Sequence, residues 1–173
     1  GLVKVTFSEP VDDATGISNY NIDGKLFGSK QPELSANGKT ISFKLTTRLA
    51  AGTHKLVVKN KVKDFAGFTV EANETEFAVV EDTTAATGTV KEATQTKVVI
   101  EFNEEVVAPA KSDVSTNTSA TIKEVKLAED NKTLTIEFET DNALPTAGGK
   151  ITVKNLTDYS GNKVDFEISV TPT

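Results

Sequence analysis

Cysteine, methionine and tryptophan are all absent from this 173-residue chain. Without cysteine there is no disulfide framework and no thiolate-held zinc or iron–sulfur centre. The lack of all three residues suits a chain exposed to oxidants. No apolar run approaches the roughly 20 residues of a membrane-spanning helix. Basic residues are outnumbered, with 19 Lys and Arg against 25 Asp and Glu and a net charge of −6. The two signs are interspersed, so neither the positive footprint of a nucleic-acid binder nor a basic membrane patch is present. Histidine occurs once and aromatic residues make up 6%, which leaves no stacked-ring platform for sugars. No leader pattern precedes the first residues. The chain opens at "GLVKVTF", already alternating like a strand, and is expected to be a piece of something longer.

What is present is one pattern written twice. "VKVTFSEPV" (3–11) lies over "VVIEFNEEV" (98–106), with Val3, Val5 and Phe7 over Val98, Ile100 and Phe102. "LSANGKTISFKL" (34–45) lies over "LAEDNKTLTIEF" (127–138), and "LAAGTHKLVVKN" (49–60) over "LPTAGGKITVKN" (144–155). Last come "VKNKVKDFAGFTV" (58–70) and "VKNLTDYSGNKV" (153–164). The order is the same and the offsets stay between 93 and 96 residues. Within each copy the apolar period is two, the mark of strands with one buried and one wet face. Turn signals such as "SANGK", "AAGT" and "DFAG" recur every 8 to 12 residues or so, which predicts an all-β sandwich. The only hint of helix is a single turn within 106–114. The stretch 78–97 is rich in Thr, Ala and Gly and reads as a linker, with the boundary near 82–88. The expectation is all-β: two tandem immunoglobulin-like β-sandwich domains, 1–82 (truncated at its N-terminus) and 83–173.

The motifs together carry a family likeness. A strand V-x-F-[SN]-E-x-V is followed by N-G-K-T or D-N-K-T, then L-x-x-G-x-x-x-V-x-V, then D-x-x-G before a closing strand. This resembles the bacterial Ig-like domains found in tandem in surface-layer (S-layer) proteins of Gram-positive bacilli. Related modules occur in adhesins and as spacers in secreted enzymes. Family members often end the loop as D-x-x-G-N. The second copy keeps this in Asp158, Gly161 and Asn162, whereas the first has Phe68 after Gly67. The resemblance implies an extracellular, self-assembling coat protein of the cell surface. Its function would be structural, with neighbouring Ig-like domains and S-layer subunits as partners and the isolated chain a monomer. The alternative is a ligand-binding or spacer module of an adhesin or of a secreted polysaccharide-degrading enzyme. An exposed aromatic cluster would mark that alternative.

Candidate chemistry is sparse. His54 lacks a nucleophile motif and reads as an exposed strand residue. Glu104 and Glu105, like Glu9 of the first copy, follow an opening strand and read as solvated turns, since a small sandwich offers no cleft for a carboxylate pair. No phosphate-binding glycine loop is present. No enzyme is expected and no cofactor required. Calcium is the one candidate ion, because it takes 6 to 8 hard oxygen ligands and the turns are rich in acids. If each copy is a seven-strand sandwich, Glu9, Asp12 and Asp13, Glu81 and Asp82, and Asp130 and Asp158 are expected at the domain junction. The "DFAG" and "DYSG" loops themselves read as type I turns. Asp takes the first position and bonds backbone two residues on, Gly takes the fourth, and the aromatic covers the sandwich end. The closing segment "FTVEANETEFAVV" is a candidate edge for lattice contact.

Overall fold

The computed structural model describes residues 1–30, 32–71 and 73–173. Backbone contacts divide them into two compact units, Gly1–Asp82 and Thr83–Thr173. Every strand ladder among the described residues is antiparallel. Among the described residues no helix is long and apolar enough to cross a membrane.

The first unit holds β1 (Leu2–Thr6), β2 (Val11–Asp12), β3 (Tyr20–Ile22), β4 (Glu33–Leu34), β5 (Thr40–Lys44), β6 (Gly52–Val58), β7 (Lys63–Asp64) and β8 (Asn73–Val79). They form sheets ordered β1-β5-β4 and β3-β6-β8, with β2-β7 as a short pair. Alternation decides which faces meet. Ile41 and Phe43 of β5, Tyr20 and Ile22 of β3, and Leu56 and Val58 of β6 all point into one core. Tyr20 is fully buried, and its ring meets Phe43 edge-on at 4.7 Å. Its hydroxyl donates to the Ala14 carbonyl at 2.8 Å, so no polar atom is left unpaired by that burial. Burial pushes its ionisation well above the usual tyrosine range.

The second unit holds β9 (Gly88–Ala93), β10 (Lys97–Phe102), β11 (Val114–Thr116), β12 (Ile122–Leu127), β13 (Thr133–Phe138), β14 (Gly149–Thr157) and β15 (Lys163–Val170). Its two sheets are ordered β12-β13-β10-β9 and β11-β14-β15, seven strands in a sandwich. The expected helical turn within 106–114 is a 3-10 turn at Lys111–Asp113. Its counterpart in the first unit is Ile17–Asn19.

The stretch read as a linker contains a strand. Small residues give it a linker's composition, and packing supplies the reason for them. A side chain on Gly88 would come within 3.0 Å of the Phe102 and Phe166 rings and 3.1 Å of Ile100. Ala86 and Ala93 are buried beside the same core. β9 thus crosses close over aromatic rings, and anything larger would overpack it. A bulge between Val99 and Ile100 in the β9–β10 register keeps Gly88, Val90 and Ala93 on the core side.

Candidate functional site

The turns that link the strands are built alike in both units. "NGKT" and "DNKT" each put a left-handed residue at the same place, Gly38 with φ +70° and Asn131 with φ +56°. The carbonyls of these residues accept from Val11 and Val106 at 2.9 and 2.8 Å. Asn37 and Asp130 occupy one position. Asn37 Oδ1 accepts from the Lys39 N–H, and Asp130 Oδ1 from the N–H groups of Lys132 and Thr133. The second Asp130 oxygen accepts from the Thr133 hydroxyl at 2.6 Å. Both oxygens of that carboxylate therefore serve their own turn.

The Asp-x-x-Gly loops share a similar geometry. Gly67 N–H donates to the Asp64 carbonyl at 3.1 Å, and Gly161 N–H to that of Asp158 at 3.2 Å. Both glycines are left-handed, with φ of +88° and +87°, as a turn ending on glycine requires. The aspartate side chain reaches further than the expected two residues. Asp64 Oδ1 accepts from Phe68 N–H, and Asp158 Oδ1 from Asn162 N–H, each four residues on at 2.9 Å. The backbone N–H of each aspartate answers to the carbonyl of that same residue.

The loops part at the last position. In the second unit, Asn162 Nδ2 donates to Asp158 Oδ2 at 2.9 Å and to the Thr84 carbonyl at 2.9 Å. That second bond ties the loop to a segment 78 residues earlier in the same unit. Asp158 is 2% exposed, and this amide is one of the donors that make its burial tolerable. In the first unit Phe68 stands there, 73% exposed, with Phe65 at 72%. Neither ring covers the sandwich end as expected of the loop aromatic, although Phe65 passes close to Gly38.

Of the acids predicted from the turns, Glu9, Asp12, Asp13, Glu81 and Asp82 belong to the first unit. All but Asp82 are exposed. Asp12 Oδ1 accepts from the N–H of Asp13, itself left-handed at φ +52°. In the second unit Asp158 lies with a carboxylate oxygen within 4.8 Å of one of Glu104. From the sequence Glu104 reads only as a solvated turn. The signal that pairs it with Glu9 was available, since each follows the opening strand of its copy.

His54 is not an exposed strand residue. Its Nδ1 meets Asp23 Oδ2 at 2.6 Å and its Nε2 meets the Ala50 carbonyl at 2.8 Å. The other Asp23 oxygen accepts from Lys55 N–H at 2.9 Å. Acceptors on both ring nitrogens favour the imidazolium. The Asp23 hydrogen bond first, then the Ala50 carbonyl, raise its pKa above the usual histidine value. The same bond lowers that of Asp23. An orienting carboxylate is thus present, but neither nitrogen is left to act as a base.

Residues 2–79 match the model of the bacterial Ig-like domain. A surface-layer 125 kDa protein of Lysinibacillus sphaericus is 36% identical over 98% of the chain. An outer cell wall protein of Brevibacillus brevis is 29% identical over 96%. The chain spans only 15% and 17% of the lengths of these relatives. Among solved structures, the S-layer protein rSbsC(31-844) is similar with a TM-score of 0.43 at 21% identity, over 94% of this chain and 32% of that one. The surface layer protein SbsC, domains 1-6, gives 0.44 at 20%, with the same coverages.

Proposed function

With a bacterial Ig-like domain over residues 2–79 as premise, we propose that the chain is a structural segment of a self-assembling surface-layer protein. It acts outside the cell, spacing domains and making lattice contacts with neighbouring Ig-like domains and other subunits. On its own it is a monomer. The observation that carries this reading is the 36% identity to a surface-layer protein over 98% of the chain.

The lattice contact is assigned to the closing segment of the first unit. β8 is the edge of its sheet, and Glu74, Glu76 and Ala78 face away from the core and are exposed. Such an edge presents unpaired backbone groups to a neighbour. The test uses the full-length protein carrying Glu74→Lys, Glu76→Lys and Ala78→Pro, examined by negative-stain microscopy. Loss of ordered arrays is expected, with the melting temperature of the second unit unchanged. Intact arrays would remove β8 from the lattice.

A second reading is favoured by Phe65 and Phe68, two exposed rings on one loop. They are the aromatic cluster that a polysaccharide-binding module would show. Sedimentation with purified cell-wall polysaccharide separates the readings, because only a binding module would lose pelleting on Phe65→Ala with Phe68→Ala.

Calcium is proposed for Asp158, one of the seven acids expected to hold it, together with Glu104, which was not among them. Two carboxylates within 4.8 Å repel each other, and a divalent ion would relieve that. Calcium should then raise the melting temperature of the second unit, and Glu104→Gln should abolish the rise. The same melting curve in calcium and in chelator would discard the idea.

A further inference from the structure

The dipeptide Asn-Gly occurs once in the chain, at Asn37–Gly38 in the "NGKT" turn, and its counterpart in the second unit is Asp130–Asn131. Asn37 is exposed. Its Oδ1 accepts from the Lys39 N–H at 3.0 Å. That bond closes a small ring, and both the Gly38 nitrogen and the Asn37 side-chain carbon Cγ are members of it. The same Oδ1 accepts from the Ser35 hydroxyl at 2.7 Å. The Thr40 N–H donates to Ser35 Oγ at 2.9 Å and so aims the hydroxyl hydrogen at Asn37. Ala128 takes the place of Ser35 in the second unit, so the turn forms without that donor.

Two donors on one amide oxygen make Cγ electron-poor and stabilise charge that develops on the oxygen, as an oxyanion hole does. The ring keeps a nitrogen next to that carbon, which removes much of the entropic cost of bringing them together. Gly38 has no side chain to obstruct the approach and holds φ +70° at little cost. The restraint is the Gly38 N–H itself, which donates to the Ser35 carbonyl at 2.8 Å. Opening of that one bond frees the nitrogen.

We propose that Asn37 is a self-modification site, converted to a carboxylate through attack by the Gly38 nitrogen, with water as co-reactant. The Gly38 nitrogen bonds to Asn37 Cγ and gives up its proton. The Cγ–Nδ2 bond breaks, and Nδ2 takes up a proton and leaves as ammonia. Water then opens the cyclic imide. Opening at Cγ gives aspartate, and opening at the main-chain carbon gives isoaspartate, whose backbone runs through Cγ. The fold already accommodates the first product, because Asp130 stands in the matching turn with Oδ1 on the N–H groups of Lys132 and Thr133. The second product adds a methylene to a turn pinned by Val11 N–H on the Gly38 carbonyl and Phe7 N–H on the Lys39 carbonyl, at 2.9 and 2.8 Å. Isoaspartate should therefore loosen the first unit. This inference does not depend on the lattice reading.

The experiment incubates the full 173-residue chain at neutral pH in heavy-oxygen water and maps its peptides by mass spectrometry. Asn37 should gain a heavy carboxylate oxygen at least about tenfold faster than any other asparagine. Hydroxylamine should cut the chain between Asn37 and Gly38 while the imide is present. Ser35→Ala, which installs the residue of the second unit, should slow conversion by about tenfold. An unchanged or faster rate in that variant would overturn the part played by the held amide. Asp130→Asn places an amide in the matching turn ahead of a residue with a side chain, and should convert at least about tenfold more slowly than Asn37. Equal rates there would overturn the part played by Gly38. An intact Asn37 after a free peptide of residues 33–41 has converted would overturn the proposal as a whole, the Gly38–Ser35 bond then being a lock.

Discussion

β1 and β10 carry the same apolar alternation, yet one lies at an edge and the other in the middle of a sheet. The first unit has nine buried core residues among those described, the second sixteen. Part of the deficit is made up within the first unit. Tyr20 stands where the second unit has Val114, each opposite the matching valine of the central strand, Val58 or Val153. The larger ring with Phe43 and Phe27 fills volume there. The deficit along β1 has no such compensation. An identical local pattern therefore does not secure identical burial, because a strand's buried face depends on what neighbours supply.

The comparison can be broken most sharply at its centre. Phe102→Ala should destabilise the second unit by about 3–5 kcal/mol, whereas Phe7→Ala should cost the first about half that, its ring being only half-buried. Each unit has one tyrosine, Tyr20 and Tyr159, so urea unfolding followed by tyrosine signals resolves the two. Equal losses would mean that the half-buried face of β1 is as well packed as the closed core.

Next comes the strand that only the second unit shows. Gly88→Val should cost about 1–3 kcal/mol through overpacking against Phe102, Phe166 and Ile100. A smaller loss would show that β9 can lift without consequence. Exchanging the loop residues follows. Asn162→Phe removes the side-chain donor to Oδ2 of the buried Asp158 and should cost about 1–3 kcal/mol. Phe68→Asn, on an exposed loop, should stay within about 0.5 kcal/mol. Similar values for the two would deny that Asn162 supports Asp158.

The smallest effect is a pH dependence confined to the first unit, since Gly149 takes the place of His54 in the second copy. The His54 pKa is raised in the folded state. Its contribution is thus complete below the ordinary value near 6.5 and is lost as pH rises through the raised one. The lowered pKa of Asp23 gives the opposite limit, with the contribution lost as pH falls below the ordinary carboxylate range. The first unit should therefore melt slightly lower at pH 8 than at pH 6, and Asp23→Asn should erase the difference. A histidine titration by NMR that is unmoved by Asp23→Asn would contradict the pairing.

The sequence by itself determined the all-β class and the duplication. Period-two alternation states which face of β1, β5, β10 and β13 turns inward, and Asp-x-x-Gly states where the chain reverses, because both are local properties of backbone and side-chain geometry. The loops at Asp64 and Asp158 were legible for that reason. Tertiary structure alone decided the rest. The small residues of β9 read as a linker until two phenylalanine rings explained them. Asp23 and His54 are 31 positions apart, and Asn162 and Thr84 are 78 apart. Glu104 reaches Asp158 only because two sheets bring strand ends together. Such contacts depend on which strands become neighbours, and no spacing along a single strand records that.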